Sequence, residues 1–555
     1  MEMSPSEHIA IVGYGSAALI LLKTLQDLPP ELRQGWRVTV LERREGLGGQ
    51  WLPDSTEQDP YASVPLTGLY PDLRTNTPVH MMTFPHSPFP PETDLFPHWT
   101  VVLKYLKDYA QQWGLYDSEP QDWASKPSRK PNENYQKVQC RRCPRNTPAD
   151  EARREMPRRI LCNREVYSAT WVGSTALGRG GRWRVVSKTF SGDSSQEEFV
   201  EDFDAIIDTT GHLVHPAIPH FSGQEEWLNA KPGRRIMHSG FYRGPRQFQG
   251  ETVLVVGAGP SGLDGSLQIS KTAKKVYHSV TPAVILPPAW PFERRDRISH
   301  FSKEGITFSD DSLLEDVDSV YLGTGFIIRY AYLERGGILQ RRPGKPLPLL
   351  EGERFEGLVS TDYYLRPLFE HTASFASLHA PASLFWCGNI MSTSYRFSNA
   401  VQSALIAWLL ALPDIMPSRT EMSRLLKEDE ARTLALGRAV EKVGHRQGAP
   451  HLGESEAYQR RIVSFLASHR IEVGNSLDQT GLVMEPWREE VRKDFWLCMR
   501  GWKRLEKEGR TKAMLKGLSG EDGYAQLSRR VISEQREVEK ETKRDPMETE
   551  VSGWD

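Results

Sequence analysis

The sequence predicts an α/β fold: two units in which short buried parallel strands alternate with helices, followed by a charged helical extension. Three observations carry this. His8-Ile-Ala-Ile-Val-Gly13 is an apolar run ending in glycine; apolar residues follow at helical spacing from Ser16 to Leu25, and Arg37-Val-Thr-Val-Leu-Glu42 is a second buried run. The same order of strand, glycine turn and helix recurs at Thr252-Val-Leu-Val-Val-Gly257 and leads to Lys275-Val-Tyr-His-Ser279. After Leu412 the chain turns charged and helical. The two units therefore read as Rossmann-like dinucleotide-binding domains.

Between them, Trp99 to Trp113 places Val102, Tyr105, Leu106, Tyr109 and Trp113 on one helical face. From Lys126 to Arg159 the hydrophobic pattern fades, with eleven Lys/Arg against four acids. This reads as a solvated basic insertion near residues 120–160; only Tyr135 interleaves the cations, where single-stranded nucleic acid needs stacking platforms. Strands resume at Val166, Trp183-Arg-Val-Val186 and Phe203-Asp-Ala-Ile-Ile207. Phe495, Met499 and Trp502, at i, i+4 and i+7, read as a face docked on the main body, and the chain from about Glu534 as a frayed tail. The expected division is one discontinuous domain, 1–249 with 324–415, an inserted domain, 250–323, and the helical extension, 416–555.

A chain of 555 residues is long enough for two or three packed domains. Lys+Arg 70 against Asp+Glu 72 leaves a net charge of −2, so no global field recruits nucleic acid or an anionic membrane. The longest apolar run, Ala404 to Leu412, falls short of the roughly 20 residues a bilayer requires. No charged start precedes an apolar stretch and cleavage site, since Ile9 onward reads as a strand. Cysteines 140, 143, 162, 387 and 498 are too few for a disulfide scaffold. The expectation is a cytoplasmic protein with a small-molecule substrate, no nucleic acid, no membrane span, and homo-oligomerisation left open.

The chemistry lies in the turns. In Gly13-Tyr14-Gly15-Ser16-Ala17-Ala18, glycines at the first two positions allow a tight turn, so that amides at a helix N-terminus meet a pyrophosphate. Glu42 ends the next strand, placed for a ribose hydroxyl pair, and its carboxylate favours an unphosphorylated ribose. The spacing exceeds the usual one because Asp27 to Trp36 is an inserted loop. The second turn is Gly257-Ala-Gly259-Pro-Ser261-Gly262-Leu263-Asp264. Cations near a 2′-phosphate would select NADP; His278 and Ser279 end the relevant strand, while Arg294, Arg295 and Arg297 come later in a loop.

Further landmarks occur in order: Glu45-Gly-Leu-Gly48-Gly49-Gln50-Trp51, Leu73-Arg-Thr75-Asn76-Thr-Pro78, Phe84-Pro, Phe96-Pro-His-Trp99, Thr209-Thr-Gly-His212 and Gly323-Thr-Gly-Phe326. From residue 8 to about 412 this order resembles the class B flavoprotein monooxygenases, in particular the flavin-containing monooxygenases that oxygenate soft nitrogen and sulfur centres. The resemblance implies FAD held by Gly13, Tyr14, Gly15, Ser16, Ala17, Glu42, Gln50 and Trp51. It implies NADPH held by Thr75, Asn76, Gly257, Gly259, Ser261, Gly262, Leu263 and Asp264, and no metal. The family linker fingerprint survives in its second half, His238-Ser-Gly-Phe-Tyr242-Arg243; in its first half Pro232 and Arg234 stand where Phe and Gly are expected, and Gly233 sits one place off.

By resemblance, NADPH reduces the flavin, O₂ adds to give a C4a-hydroperoxyflavin, and one oxygen passes to a substrate nucleophile, with Asn76 as the catalytic amide beside the ring. Three rivals stay open: Baeyer–Villiger oxygenation of a ketone on the same fold, a disulfide reductase using Cys140 and Cys143, and a degenerate flavoprotein acting as a scaffold.

Overall fold

The computed structural model describes residues 7–54, 64–85, 87–116, 156–175, 180–190, 197–282, 284, 286, 290–345, 347, 355–391, 395–445, 454–471 and 484–541. Cys140, Cys143, Tyr135 and most of the basic insertion lie outside them.

The elements that frame the site are, in chain order, β1 (His8–Val12), α1 (Ser16–Asp27), β2 (Arg37–Leu41), α2 (Trp99–Gln112) and β3 (Arg158–Leu161). Next come β4 (Arg164–Gly173), β5 (Gly181–Thr189), β6 (Glu198–Phe203), β7 (Ala205–Asp208), β8 (Arg235–His238), β9 (Thr252–Val256), α3 (Pro260–Ile269), β10 (Lys275–Ser279), β11 (Glu293–Arg295) and β12 (Ser319–Leu322). β13 (Leu368–Phe369), β14 (Ala373–Ser374), β15 (Leu384–Trp386), α4 (Tyr395–Ala411), α5 (Arg419–Ala435), α6 (Glu454–Ser468), α7 (Pro486–Lys493), α8 (Phe495–Lys507) and α9 (Gly520–Glu541) complete the set.

Two sheets carry the architecture. The first runs β13-β14-β15-β7-β1-β2-β3 and the second β11-β10-β9-β12-β8, each with its glycine turn at the end of a central strand. β1 pairs in parallel with β2 and β7, and β9 in parallel with β10 and β12, so the two units repeat one design. Strands packed on both faces must be apolar throughout, and β1 is buried at all five positions. α1 and α4 cover the first sheet and join its core through Leu19, Leu22, Leu405 and Leu409.

The structure departs from the sequence reading at four places. Phe203–Ile207 is two strands, not one: β6 belongs to an antiparallel sheet with β4 and β5, and β7 to the first parallel sheet. The chain changes sheets at Asp204, whose amide donates to the His8 carbonyl and whose carboxylate accepts the His8 amide at 2.7 Å. The second sheet takes β8 from upstream of residue 250, because an edge beside β12 is open there. Arg294 and Arg295 lie on β11, in register with His278 and Ser279, rather than in a loop. Last, α9 continues past Glu534 to Glu541, because Glu534 and Glu539 are tied to arginines of the neighbouring helix and its C-terminal turn.

The helical predictions are met closely. α2 buries Val102, Tyr105, Leu106 and Tyr109, with Trp113 at its C-terminal end. On α8, Trp502 is 1% exposed, and Phe495 and Met499 pack partly buried against the main core. No helix among the described residues is long and apolar enough to cross a membrane.

Candidate functional site

The first glycine turn closes on three segments. Gly13 sits at φ +101°, a conformation that L side chains rarely adopt, and a Cβ there would meet the Thr209 hydroxyl at 3.1 Å. Thr209 Oγ1 donates to the carbonyls of Val12 (2.8 Å) and Gly13 (3.1 Å), so the Thr209-Thr-Gly-His212 turn buttresses the first turn from the adjacent strand. Gly15 faces Gly49: a Cβ on Gly15 would stand 3.3 Å from the Gly49 Cα, and one on Gly49 3.0 Å from the Gly15 Cα. Two backbones thus come together where any side chain would hold them apart.

Gly15 is the N-cap of α1, without a side-chain cap and without an acid in the first turn, so the helix dipole is left for an outside anion. Ser16 and Ala17 open that helix, and Ala17 packs on Gly388. Glu42 is buried. Its carboxylate accepts the Tyr14 amide at 2.7 Å and the Arg44 amide at 2.8 Å. Burial raises its pKa, opposed by those two bonds. A carboxylate has about four acceptor sites, so lone pairs are left for ribose hydroxyls. Tyr14 is buried and fixed by its hydroxyl to the Leu115 carbonyl at 2.7 Å. Gln50 is exposed, and the neighbouring Trp51 is buried with an indole N–H that lacks a partner.

The second turn repeats these features. Gly257 is again at φ +101°, with a Cβ position 2.7 Å from the Gly323 carbonyl, so the Gly323-Thr-Gly turn backs it as Thr209 backs the first. A Cβ on Gly262 would lie 1.8 Å from the Gly257 carbonyl, which makes Gly262 a packing glycine. Gly259 differs: it caps α3 with no side-chain bond, and its Cβ would meet nothing within 4 Å. Open space above an uncapped helix start fits a pyrophosphate. Ser261 and Leu263 are half-buried in the first turns of α3, and the Ser261 carbonyl accepts the Tyr321 hydroxyl at 3.3 Å. The Tyr70 hydroxyl donates to Asp264, whose carboxyl is pushed up by desolvation and drawn down by Lys503 and Lys271. His278 is buried beneath the turn, bonded to the Gly257 carbonyl and to the Trp290 indole, and so is committed to structure.

The Arg74-Thr75-Asn76 turn belongs to a third segment, between the two units in sequence. Thr75 is buried, its amide bonded to the Pro97 carbonyl at 2.9 Å and its hydroxyl without a partner. Asn76 is exposed; its Oδ1 accepts the Thr77 hydroxyl at 3.3 Å. The turn reaches the second unit through the Leu73 amide on the Tyr70 carbonyl and the Tyr70 hydroxyl on Asp264. His238 is buried, accepts the Gly240 amide at Nδ1 and donates from Nε2 to the Gly325 carbonyl at 2.8 Å, with burial pulling its pKa down to about 4. Tyr242 is buried with an unpartnered hydroxyl and a raised pKa. Gly233, at φ +87°, makes the turn before β8, where the fingerprint's first half is displaced.

Sequence reasoning missed a latch beside this linker. Asp54, just beyond Trp51, holds Arg44 and Arg243, each at 3.2 Å, so the base that ends the fingerprint grips the first unit. It missed Asp208, buried at the end of β7, which accepts the Thr210 amide and hydroxyl and the Tyr332 hydroxyl and so sets the buttressing turn. A carboxylate closing the apolar run Ala205-Ile-Ile-Asp208 was the available signal. Cys387 and Cys498 are buried, with thiol pKa values pushed up to about 12.

The flavin-binding monooxygenase-like family model matches residues 6–118 and 173–290. The chain is 25% identical over 383 residues to senecionine N-oxygenase of Tyria jacobaeae, across 67% of this chain and 66% of that protein, just under two thirds of its length. It is 26% identical over 460 residues to flavin-containing monooxygenase FMO GS-OX4 of Arabidopsis thaliana, across 80% and 82%. In fold it is similar to S-allyl-L-cysteine S-oxygenase from Allium sativum, with a TM-score of 0.61 and 21% identity over 97% of this chain and 100% of that one. It is also similar in fold to Tmm from a Pelagibacter strain, with a TM-score of 0.58 and 18% identity over 89% and 90%.

Proposed function

We propose that this chain, which belongs to the flavin-binding monooxygenase-like family, is an NADPH- and O₂-dependent enzyme that inserts one oxygen atom into a nitrogen or sulfur centre of a small molecule. One observation carries the reading. Two uncapped helix starts, each closed by a glycine at φ +101° and backed by a Thr-Gly turn of the neighbouring strand, stand in one chain. That arrangement suits two dinucleotides, one for each sheet.

In this reading the amides of Gly13 to Ala17 hold the pyrophosphate of FAD, Glu42 takes its ribose, and Gln50 and Trp51 flank it. Gly257 to Asp264, with Thr75 and Asn76, hold NADPH. Bound FAD supplies the electron and oxygen chemistry. The protein contributes orientation and dryness: Trp51, Thr75 and Tyr242 are buried, and Asn76, which is exposed, is to be covered by the bound nucleotides. The Asn76 amide is the catalytic donor, able to stabilise developing charge without giving up a proton. His238 and Arg243 tie the linker to the Gly325 turn and to Asp54, so the two units keep their spacing.

The test is product identity. The FAD-loaded chain with NADPH and air is offered N,N-dimethylaniline, methyl phenyl sulfide and cyclohexanone. The proposal expects the N-oxide and the sulfoxide. Lactone alone would overturn it in favour of ketone oxygenation, and a colourless protein that takes up no FAD would leave a scaffold.

A further inference from the structure

The C-terminal extension reaches the Asn76 turn directly. On α8, Trp502 and Glu506 are four residues apart and share a face. The Trp502 indole N–H donates to Asp94 Oδ1 at 2.8 Å. Asp94 Oδ2 accepts Arg74 Nη1 at 3.0 Å, and Glu506 Oε1 accepts the same nitrogen at 3.1 Å. Arg74 also donates to the Phe96 carbonyl at 3.2 Å. The arginine immediately before Thr75-Asn76 is thus held from both sides by one helix, once through Asp94 and once outright.

The grip extends along the same segment. The Tyr524 hydroxyl donates to the Thr93 carbonyl at 2.6 Å, the Gly517 amide to the Glu92 carboxylate at 2.8 Å, and the Glu92 amide to the Leu518 carbonyl at 2.9 Å. The Arg74–Glu506 pair adds little to stability, because its side chains are 49% and 33% exposed and such pairs are weak. Arg74 is also where the turn leaves the sheet-like pairing, through an isolated antiparallel bridge to His98.

We propose that Trp502 and Glu506 are positioning residues, holding the Arg74–Asn76 turn so that oxygen reaches the substrate rather than being released as peroxide. The inference rests on the function proposed above. Its test uses the full-length, FAD-loaded chain and two variants, Glu506→Gln and Trp502→Phe. Glu508→Gln serves as control, since Glu508 pairs with Arg504 and Arg510 within the extension.

Amide hydrogen exchange is read on the peptide spanning 73–80, and the ratio of oxygenated product to hydrogen peroxide is read in parallel. Exchange should rise roughly threefold in Glu506→Gln. In Trp502→Phe, which loses a bond to a charged acceptor, it should rise on the order of tenfold. The product ratio should fall in the same order, with FAD content unchanged and the control unmoved. Unchanged exchange in both variants overturns the proposal, as does faster exchange with an unchanged product ratio. A parent protein that makes no oxygenated product would overturn the function instead, and the exchange measurement decides the grip in either case.

Discussion

Replacing Gly259 by valine separates binding from folding at the second turn. Gly259 has φ −68° and ψ 175°, an extended conformation that any residue adopts, and its Cβ would meet nothing within 4 Å. Valine is less favoured than glycine at an N-cap and costs the helix about 1 kcal/mol, a small part of the fold's stability. Its methyl groups would instead occupy the space over the start of α3, where a pyrophosphate must approach. Two amide bonds to a charged group are each worth about 1.5 kcal/mol or more, so their loss weakens binding by about 3 kcal/mol, on the order of a hundredfold. The assay is anaerobic bleaching of the bound flavin at rising NADPH, with thermal midpoint and FAD content as controls. Half-saturation should move up a hundredfold while both controls hold. Unchanged half-saturation would refute the assignment. Gly262→Ala makes the contrast: its Cβ falls 1.8 Å from the Gly257 carbonyl, so that variant should lose stability as well.

Three further outcomes follow from the same geometry. Gly15→Val puts a branched side chain against the Gly49 backbone and should purify without yellow colour; a normal FAD content would show the first cradle to be misplaced. Asn76→Leu, similar in volume but without a donor, should keep FAD and still oxidise NADPH at saturation, with a raised half-saturation for NADPH, while its product-to-peroxide ratio falls by on the order of a hundredfold, about 3 kcal/mol. An unchanged ratio would leave Asn76 as a turn residue. His238 has a pKa of about 4 when folded against an ordinary 6.5, so the unfolded chain binds its proton more readily. Its contribution is therefore complete above pH 6.5 and is lost as pH falls towards 4. His238→Gln, which can keep both backbone bonds, should lose less stability across that window, by up to about 3 kcal/mol; equal acid sensitivity in denaturation at pH 7 and pH 4.5 would count against it.

The two glycine turns were legible because their demands are local: positive φ at Gly13 and Gly257 and a close backbone approach at Gly15 call for glycine, and a parallel strand buried on both faces calls for the apolar runs before them. What stayed hidden depends on partners far away in sequence. Asp54 and Arg243, or Arg74 and Glu506, are ordinary surface-type charges until the fold sets them 3.2 and 3.1 Å apart. The division of Phe203–Ile207 turns on one bidentate contact, Asp204 to the backbone of His8, that no periodicity reveals. Arg294 and Arg295 carry no strand pattern and are drawn into β11 by the exposed edge of β10. Helix α9 lacks a strong apolar stripe near its end and is held by Arg500, Arg504 and Arg510 against Glu534 and Glu539.

The central claim is that one atom of molecular oxygen enters a nitrogen or sulfur centre at the expense of NADPH. The direct measurement is turnover under ¹⁸O₂ with methyl phenyl sulfide as probe, following label in the product and NADPH consumed. The account predicts a sulfoxide carrying one labelled oxygen for each NADPH oxidised. NADPH oxidation that yields only hydrogen peroxide, or a sulfoxide whose oxygen comes from water, would contradict it.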